Sequence, residues 1–250
     1  MKVGFFSAKQ YDINHFDRIN QTFGLQIEYF DYRLSLRTVR LAHGFEAICV
    51  FVNDSLCEEV LIELSKNGTK VIAMRCSGFN NVDLEVAKKL NLKVVNVPSY
   101  SPESVAEHTV ALMLTLNRKV HKAYQRTRDA NFSLTGLVGF NMQNRNVGVI
   151  GTGKIGLATI KILLGFGCHV FAHDPHPNHA VLDLGVEYVP LEEIFAACDI
   201  ISLHCPLTSE NHHLLNKESF SRMKPGVMVI NTSRGGLLNA LDAIEALKTG

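Results

Sequence analysis

One stretch constrains the fold of this chain more than any other: Arg145-Asn146-Val147-Gly148-Val149-Ile150-Gly151-Thr152-Gly153-Lys154-Ile155-Gly156. Residues 147–150 form an apolar run of strand length. The run enters a turn with glycines at 151, 153 and 156, followed by Ile155, Ala158, Thr159, Ile162 and Leu163 at helical spacing. Each glycine has a physical task in a dinucleotide site. Gly151 permits the tight turn off the strand, Gly153 lets the backbone approach a pyrophosphate, and Gly156 lets the helix pack against the sheet. The helix N-terminus offers unpaired N–H groups and the positive end of a dipole. Taken alone, the triplet is equally a glycine-rich turn between any strand and helix. Its context decides. A second strand, residues 169–173, ends in Asp174, where a carboxylate can hold the ribose hydroxyls of an adenosine. The stretch therefore predicts a nicotinamide dinucleotide site.

Around it, the chain alternates strand and helix. Strands are expected at 2–6, 26–30, 47–52, 71–74 and 93–97, and helices at 12–23, 34–42, 57–66 and 84–90. Such alternation implies a parallel, doubly wound sheet. Ser101 suits an N-cap, Pro102 a first helical position and Glu103 the first turn. They open a long helix with Val105, Thr109, Leu112, Leu116 and Val120 on one face. Residues 100–102 read as a hinge between domains, and 126–144 as a connecting loop. Beyond 145, strands are expected at 187–189, 199–203 and 227–230, and helices near 191–197, 217–223 and 240–248, with Gly250 as a cap. The fold class is α/β, with two doubly wound parallel-sheet domains at 1–99 and 100–250.

Composition excludes several function classes. Net charge is +1, so nothing electrostatic points to nucleic acid or an anionic membrane. No apolar run approaches a membrane span, and the N-terminal run is too short for a signal peptide. The six cysteines form no C-x-x-C pair and no metal spacing with histidine, so no metal is expected. They read as small, mostly buried, reduced side chains of a cytoplasmic protein.

In an open parallel sheet, ligands bind outside the carboxyl ends of the strands. The fingerprint, Asp174, the segment 204–206 and the segment 232–234 all lie at such ends. Two readings stand for Arg234: a guanidinium that forks onto a carboxylate and adjacent carbonyl oxygen, or a surface arginine in a salt bridge. Arg75-Cys76-Ser77-Gly78-Phe79-Asn80-Asn81 is either an anion-holding loop or an ordinary turn after a strand. Tyr100 either faces the cleft or packs under it. His204 is either a base or a histidine that packs beside a cofactor without titrating.

Several segments together resemble one known family. They are 75–83, Val97-Pro98-Ser99-Tyr100-Ser101-Pro102-Glu103-Ser104-Val105-Ala106-Glu107-His108, the fingerprint, His204-Cys205-Pro206-Leu207-Thr208 and Asn231-Thr232-Ser233-Arg234-Gly235. The family is the D-isomer-specific 2-hydroxyacid dehydrogenases. Within it, Tyr124-Gln125-Arg126-Thr127-Arg128-Asp129-Ala130-Asn131-Phe132-Ser133-Leu134 is similar to the bacterial fermentative D-lactate dehydrogenases. The resemblance implies a flavodoxin-like substrate domain and a Rossmann NAD-binding domain. It implies NAD contacts at Gly151, Gly153, Lys154, Ile155, Gly156, Asp174, Cys205, Pro206, Asn211, Thr232, Ser233 and Arg234. It implies that Arg234 holds the substrate carboxylate and polarises the keto group, with Cys76, Ser77, Gly78 and Tyr100 helping to hold pyruvate or D-lactate. It also implies a homodimer or higher homo-oligomer. The family pattern continues past the equivalent of Gly250 with an aspartate, a glutamate and a proton-donating histidine. These have no position here, so the NAD-binding domain is expected to be truncated and the 250-residue polypeptide alone inactive toward pyruvate. The rival expectations are another D-2-hydroxyacid specificity and a non-catalytic NAD(H)-sensing binding protein.

Overall fold

Four-residue apolar runs such as Val71–Met74 are too short for helices. They become strands by pairing side by side, which satisfies their backbone N–H and C=O groups. The computed structural model describes residues 1–99 and 101–249. It divides into two compact units, Met1–Tyr100 and Ser101–Gly250.

The first unit contains β1 (Lys2–Phe5), α1 (Gln10–Phe23), β2 (Gln26–Tyr29), β3 (Ala47–Val50), α2 (Glu58–Lys66), β4 (Val71–Met74), α3 (Leu84–Lys89) and β5 (Lys93–Val95). Its strands are all parallel, in the order β2-β1-β3-β4-β5. That is the flavodoxin-like doubly wound order. Central β3 is buried along its whole length, as a strand covered by helices on both faces must be. Phe6, Ile48, Leu61, Leu64 and Ile72 fill one face of the sheet, and Val3, Phe5 and Cys49 the other.

The helix expected at 34–42 does not form; only Val39–Ala42 makes a 3-10 turn. Side chains outcompete the helical ladder there. The Leu34 N–H donates to Asp54 Oδ1 at 2.7 Å, and Thr38 Oγ1 both accepts from Ser35 N and donates to Arg33 O.

The second unit opens on α4 (Pro102–Arg118) and α5 (Val120–Arg128). Then follow β6 (Asn146–Ile150), α6 (Lys154–Gly165), β7 (His169–His173), α7 (His179–Leu182), β8 (Glu187–Tyr188), α8 (Leu191–Ala197), β9 (Ile200–Leu203), α9 (Lys217–Ser221), β10 (Met228–Asn231) and α10 (Ala240–Thr249). The strands are parallel in the order β10-β9-β6-β7-β8. Counted from β6, this is the 3-2-1-4-5 winding of a Rossmann sheet, with its switch point between β6 and β9.

Two expectations about the helices need correction. The face of α4 that is buried carries Ala106, Thr109, Val110, Met113 and Asn117. Of the expected face only Thr109 belongs to it, while Leu116 and Val120 are 47% and 54% exposed. α4 packs on α6 and β10, and Thr109 on its buried face meets Thr232 just past the end of β10. The helix stops at Lys119, in the left-handed region at φ 51. Residues expected in a loop from 126 onward begin instead in α5, which has no buried residue and so little apolar periodicity to reveal it. Ser101 does cap α4, accepting from Ser104 N. Among the described residues, no helix is long and apolar enough to cross a membrane.

Candidate functional site

The glycine turn owes its shape to how little space surrounds it. Gly151 has φ +97, and a Cβ there would lie 2.4 Å from Cys205 N and 2.6 Å from the His204 carbonyl carbon. The turn therefore rests against the segment that leaves β9. A Cβ on Gly156 would lie 2.0 Å from Gly151 O, just past the end of β6, and 3.7 Å from His204 Cβ, just past the end of β9, so a bare Cα lets the helix sit this close to the end of the sheet. Gly153 differs: a Cβ there would meet nothing within 4 Å. It would project into open space above the turn, the space that a pyrophosphate needs. No side chain caps α6, and its first turn holds no acidic residue, which suits an anion at the helix N-terminus. Lys154 and Ile155 are the first two residues of that helix.

Asp174 follows β7 and turns toward the same place. Its Oδ2 accepts from Thr152 N at 2.7 Å and Thr152 Oγ1 at 3.1 Å, and its Oδ1 accepts from His176 N at 2.9 Å. Partial burial pushes the carboxyl pKa up, but the hydrogen bonds from Thr152 and His176 outweigh it, and the net shift is downward. The group is held as an anion. Behind it, Tyr188 Oη donates to Thr152 Oγ1 at 2.8 Å, and Asn178 Nδ2 donates to Thr152 O at 2.8 Å. Sequence reasoning missed Thr152, Asn178 and Tyr188 as a support. The one available signal was the place of Thr152 inside the fingerprint.

The ends of β9 and β10 are braced together. His204 N donates to Ile150 O at 2.7 Å, and His204 Nε2 stands 2.8 Å from Ser202 Oγ. Burial pushes the His204 pKa down to about 4, so the ring is neutral at ordinary pH. Asn211 holds the loop after β9 by accepting from Thr208 N and donating to Pro206 O. Ser233 Oγ donates to the Cys205 carbonyl, and Thr232 Oγ1 lies 2.8 Å from Thr109 Oγ1. Arg234 is flanked by a local clamp: Asn231 accepts from Ser233 N and donates to Arg234 O, and Arg234 Nη1 donates to Ser233 O at 3.1 Å. Direct contacts thus link Gly151 to Cys205 and Cys205 to Ser233. The topology places Asp174 and Arg234 at strand ends on the same edge of one sheet.

In the first unit, Cys76, Ser77 and Gly78 follow β4 in a tied loop. Cys76 Sγ donates to Gly78 O at 3.2 Å, Ser77 Oγ donates to Pro98 O at 3.1 Å, and Asn96 Nδ2 donates to Ser77 O at 2.8 Å. Arg75 is committed to the interior. It donates to Phe6 O and Ser7 O, sits 3.5 Å from Asp12, and lies over the Phe5 and Phe51 rings. Tyr100 lies outside the described residues, as does the cap expected at Gly250. Among the described residues, no group of three His, Cys, Asp or Glu side chains is arranged to hold a metal ion.

Comparison with known proteins supplies the context for this geometry. Residues 110–250 match the family model "D-isomer specific 2-hydroxyacid dehydrogenase, NAD binding domain". The D-lactate dehydrogenase of Escherichia coli K12 is 58% identical over 248 residues, which are 99% of this chain and 75% of that protein. The apo structure of the Escherichia coli D-lactate dehydrogenase superimposes with a TM-score of 0.93 at 57% identity, covering 100% of this chain and 79% of that one. The Aquifex aeolicus D-lactate dehydrogenase, solved with NAD and lactic acid, gives a TM-score of 0.88 at 35% identity over 99% of this chain and 74% of that one. A Rossmann winding whose glycine turn leaves open space at Gly153 is what an NAD-binding domain requires, and with these similarities the chain belongs to the D-isomer-specific 2-hydroxyacid dehydrogenases, NAD-binding oxidoreductases.

Proposed function

We propose that this chain carries the NAD-binding and substrate-holding parts of an NAD-dependent D-lactate dehydrogenase, which reduces pyruvate to D-lactate. Residues 1–99 serve as the substrate domain and 100–250 as the NAD-binding domain. One observation carries the reading: the glycine turn, the anionic Asp174 and the Cys205–Ser233 brace stand together at the strand ends of one Rossmann sheet. Bound NADH supplies the hydride. The chain's own residues bind and orient. The α6 N-terminus faces the pyrophosphate, Asp174 accepts from the adenosine ribose, and Arg234 holds the carboxylate and keto oxygen of the substrate. Cys76, Ser77, Gly78 and Tyr100 belong to the substrate side of the same proposal. His204 is assigned a packing role in this proposal: its Nε2 stands 2.8 Å from Ser202 Oγ, and burial lowers its pKa.

The test is Arg234→Lys, which keeps the charge and removes the planar fork. Pyruvate should bind the NADH complex roughly 10–100-fold more weakly, while the NADH dissociation constant stays within a few-fold. Unchanged pyruvate affinity would sink the assignment. A pyruvate assay on the same preparations measures whether these 250 residues suffice for turnover.

A further inference from the structure

The hydroxyl protons at the end of β10 can be assigned one by one. Thr109, on α4, is fully buried. Its Oγ1 lies 2.8 Å from the Val105 carbonyl oxygen and 2.8 Å from Thr232 Oγ1. A carbonyl oxygen only accepts, and a threonine has one hydroxyl proton. That proton goes to Val105, so Thr232 is the donor in the bond between the two threonines. At the next residue, Ser233 Oγ donates to the Cys205 carbonyl. Both hydroxyl protons of Thr232 and Ser233 are therefore directed into the protein. Each oxygen keeps only lone pairs for a ligand.

The topology says which part of a ligand meets them. Asp174 follows β7, on one side of β6, while β9 and β10 lie on the other. A dinucleotide laid across the switch point, adenosine at Asp174, brings its nicotinamide half over the ends of β9 and β10. This step rests on the NAD reading proposed above. The nicotinamide carboxamide has a donor end, its NH2, and an acceptor end, its carbonyl oxygen. Hydroxyls that offer only acceptors pair with the NH2 end.

We propose that Thr109 is a positioning residue: by taking the Thr232 proton it makes Thr232 an obligate hydrogen-bond acceptor, and this selects the carboxamide NH2 of the nicotinamide. The bond from Thr109 to Val105 is what gives the arrangement its direction. A valine at 109 fills nearly the same space but cannot accept, so the Thr232 hydroxyl would be free to turn and donate outward. A serine at 109 can accept as threonine does.

The experiment compares dissociation constants for NADH and for reduced 3-acetylpyridine adenine dinucleotide, whose acetyl group has the carbonyl but no N–H. The unsubstituted protein should favour NADH by roughly 5–10-fold, the worth of one hydrogen bond. Thr109→Val should bring that ratio to within about twofold, and Thr109→Ser should restore it. Thr232→Val, at a partly exposed position, should narrow the ratio in the same way and serves if the buried variant does not fold. An unchanged ratio in a folded Thr109→Val or in Thr232→Val overturns the proposal. So does NADH binding to the unsubstituted protein without preference over the analogue, which leaves the NAD reading standing. Failure to bind either dinucleotide overturns both.

Discussion

In the proposed site, Asp174 would choose between cofactors by charge. Its carboxylate is held anionic by Thr152 and His176, and residues 175–180 contain no lysine or arginine to offset it. A 2′-phosphate at about 4 Å would meet a like charge at a cost of roughly 4 kcal/mol for an effective dielectric of 20. NADPH should therefore bind at least about 100-fold more weakly than NADH. Equal dissociation constants in a titration would remove Asp174 from the ribose site. His204 makes a different kind of prediction. Burial holds its folded pKa at about 4, below the unfolded value of 6.5. As pH falls, the unfolded chain takes up the proton first. The stabilising contribution is complete above about pH 6.5 and is lost as pH falls toward 4. Between pH 7 and pH 5 the loss should be roughly 2 kcal/mol, measured by denaturant unfolding, and His204→Gln should abolish that share of the pH dependence. Arg234 and Asp174 were legible as candidates because each follows an apolar strand. The support behind Asp174 was not, since Thr152, Asn178 and Tyr188 come from three separate segments.

At the scale of elements, α6 contains two glycines with opposite surroundings. A Cβ on Gly156 would strike Gly151 O at 2.0 Å, and that atom is backbone, with no flexible end to yield. Gly156→Ala should cost about 1–3 kcal/mol of strain and weaken NADH binding at least about tenfold by distorting the turn. Gly165, at the far end of the same helix, has open space around its Cβ position. Gly165→Ala should leave NADH affinity unchanged and gain up to about 1 kcal/mol in stability. Calorimetric titration of both variants separates the outcomes; if Gly156→Ala binds NADH normally, the turn is not the phosphate site. Most strands and helices could be read from apolar runs and turn residues such as Gly24, which caps α1 at φ 64. The buried face of α4 could not, because its apolar residues occur at several spacings and the choice among them is made by the shapes of α6 and β10.

At the scale of the whole molecule, each unit has its own core. Phe6, Ile48 and Leu61 lie in the first, while Met113, Val149 and Ile160 lie in the second. Leu61 on α2 is fully buried. Leu61→Ala should destabilise the first unit by about 2–5 kcal/mol. Under conditions where the variant remains folded, NADH affinity should not change, because the cofactor candidates lie in the second unit. A parallel fall in NADH affinity would contradict that division of labour.

The sequence by itself determined the two α/β sheets, the glycine turn and the strand ends that carry the candidate site residues. These follow from local properties: apolar runs of strand length, a period of 3.6, and glycine where the backbone turns tightly. Family resemblance added the roles proposed for the individual residues. Only the tertiary structure decided that residues 34–38 are held out of a helix by side-chain bonds, and that α4 ends at Lys119. It alone brought Thr109 to Thr232 across 123 positions of chain. A hydroxyl carries no pattern that names its partner. The direction of its single proton is settled only when a carbonyl and a second hydroxyl arrive on either side of it.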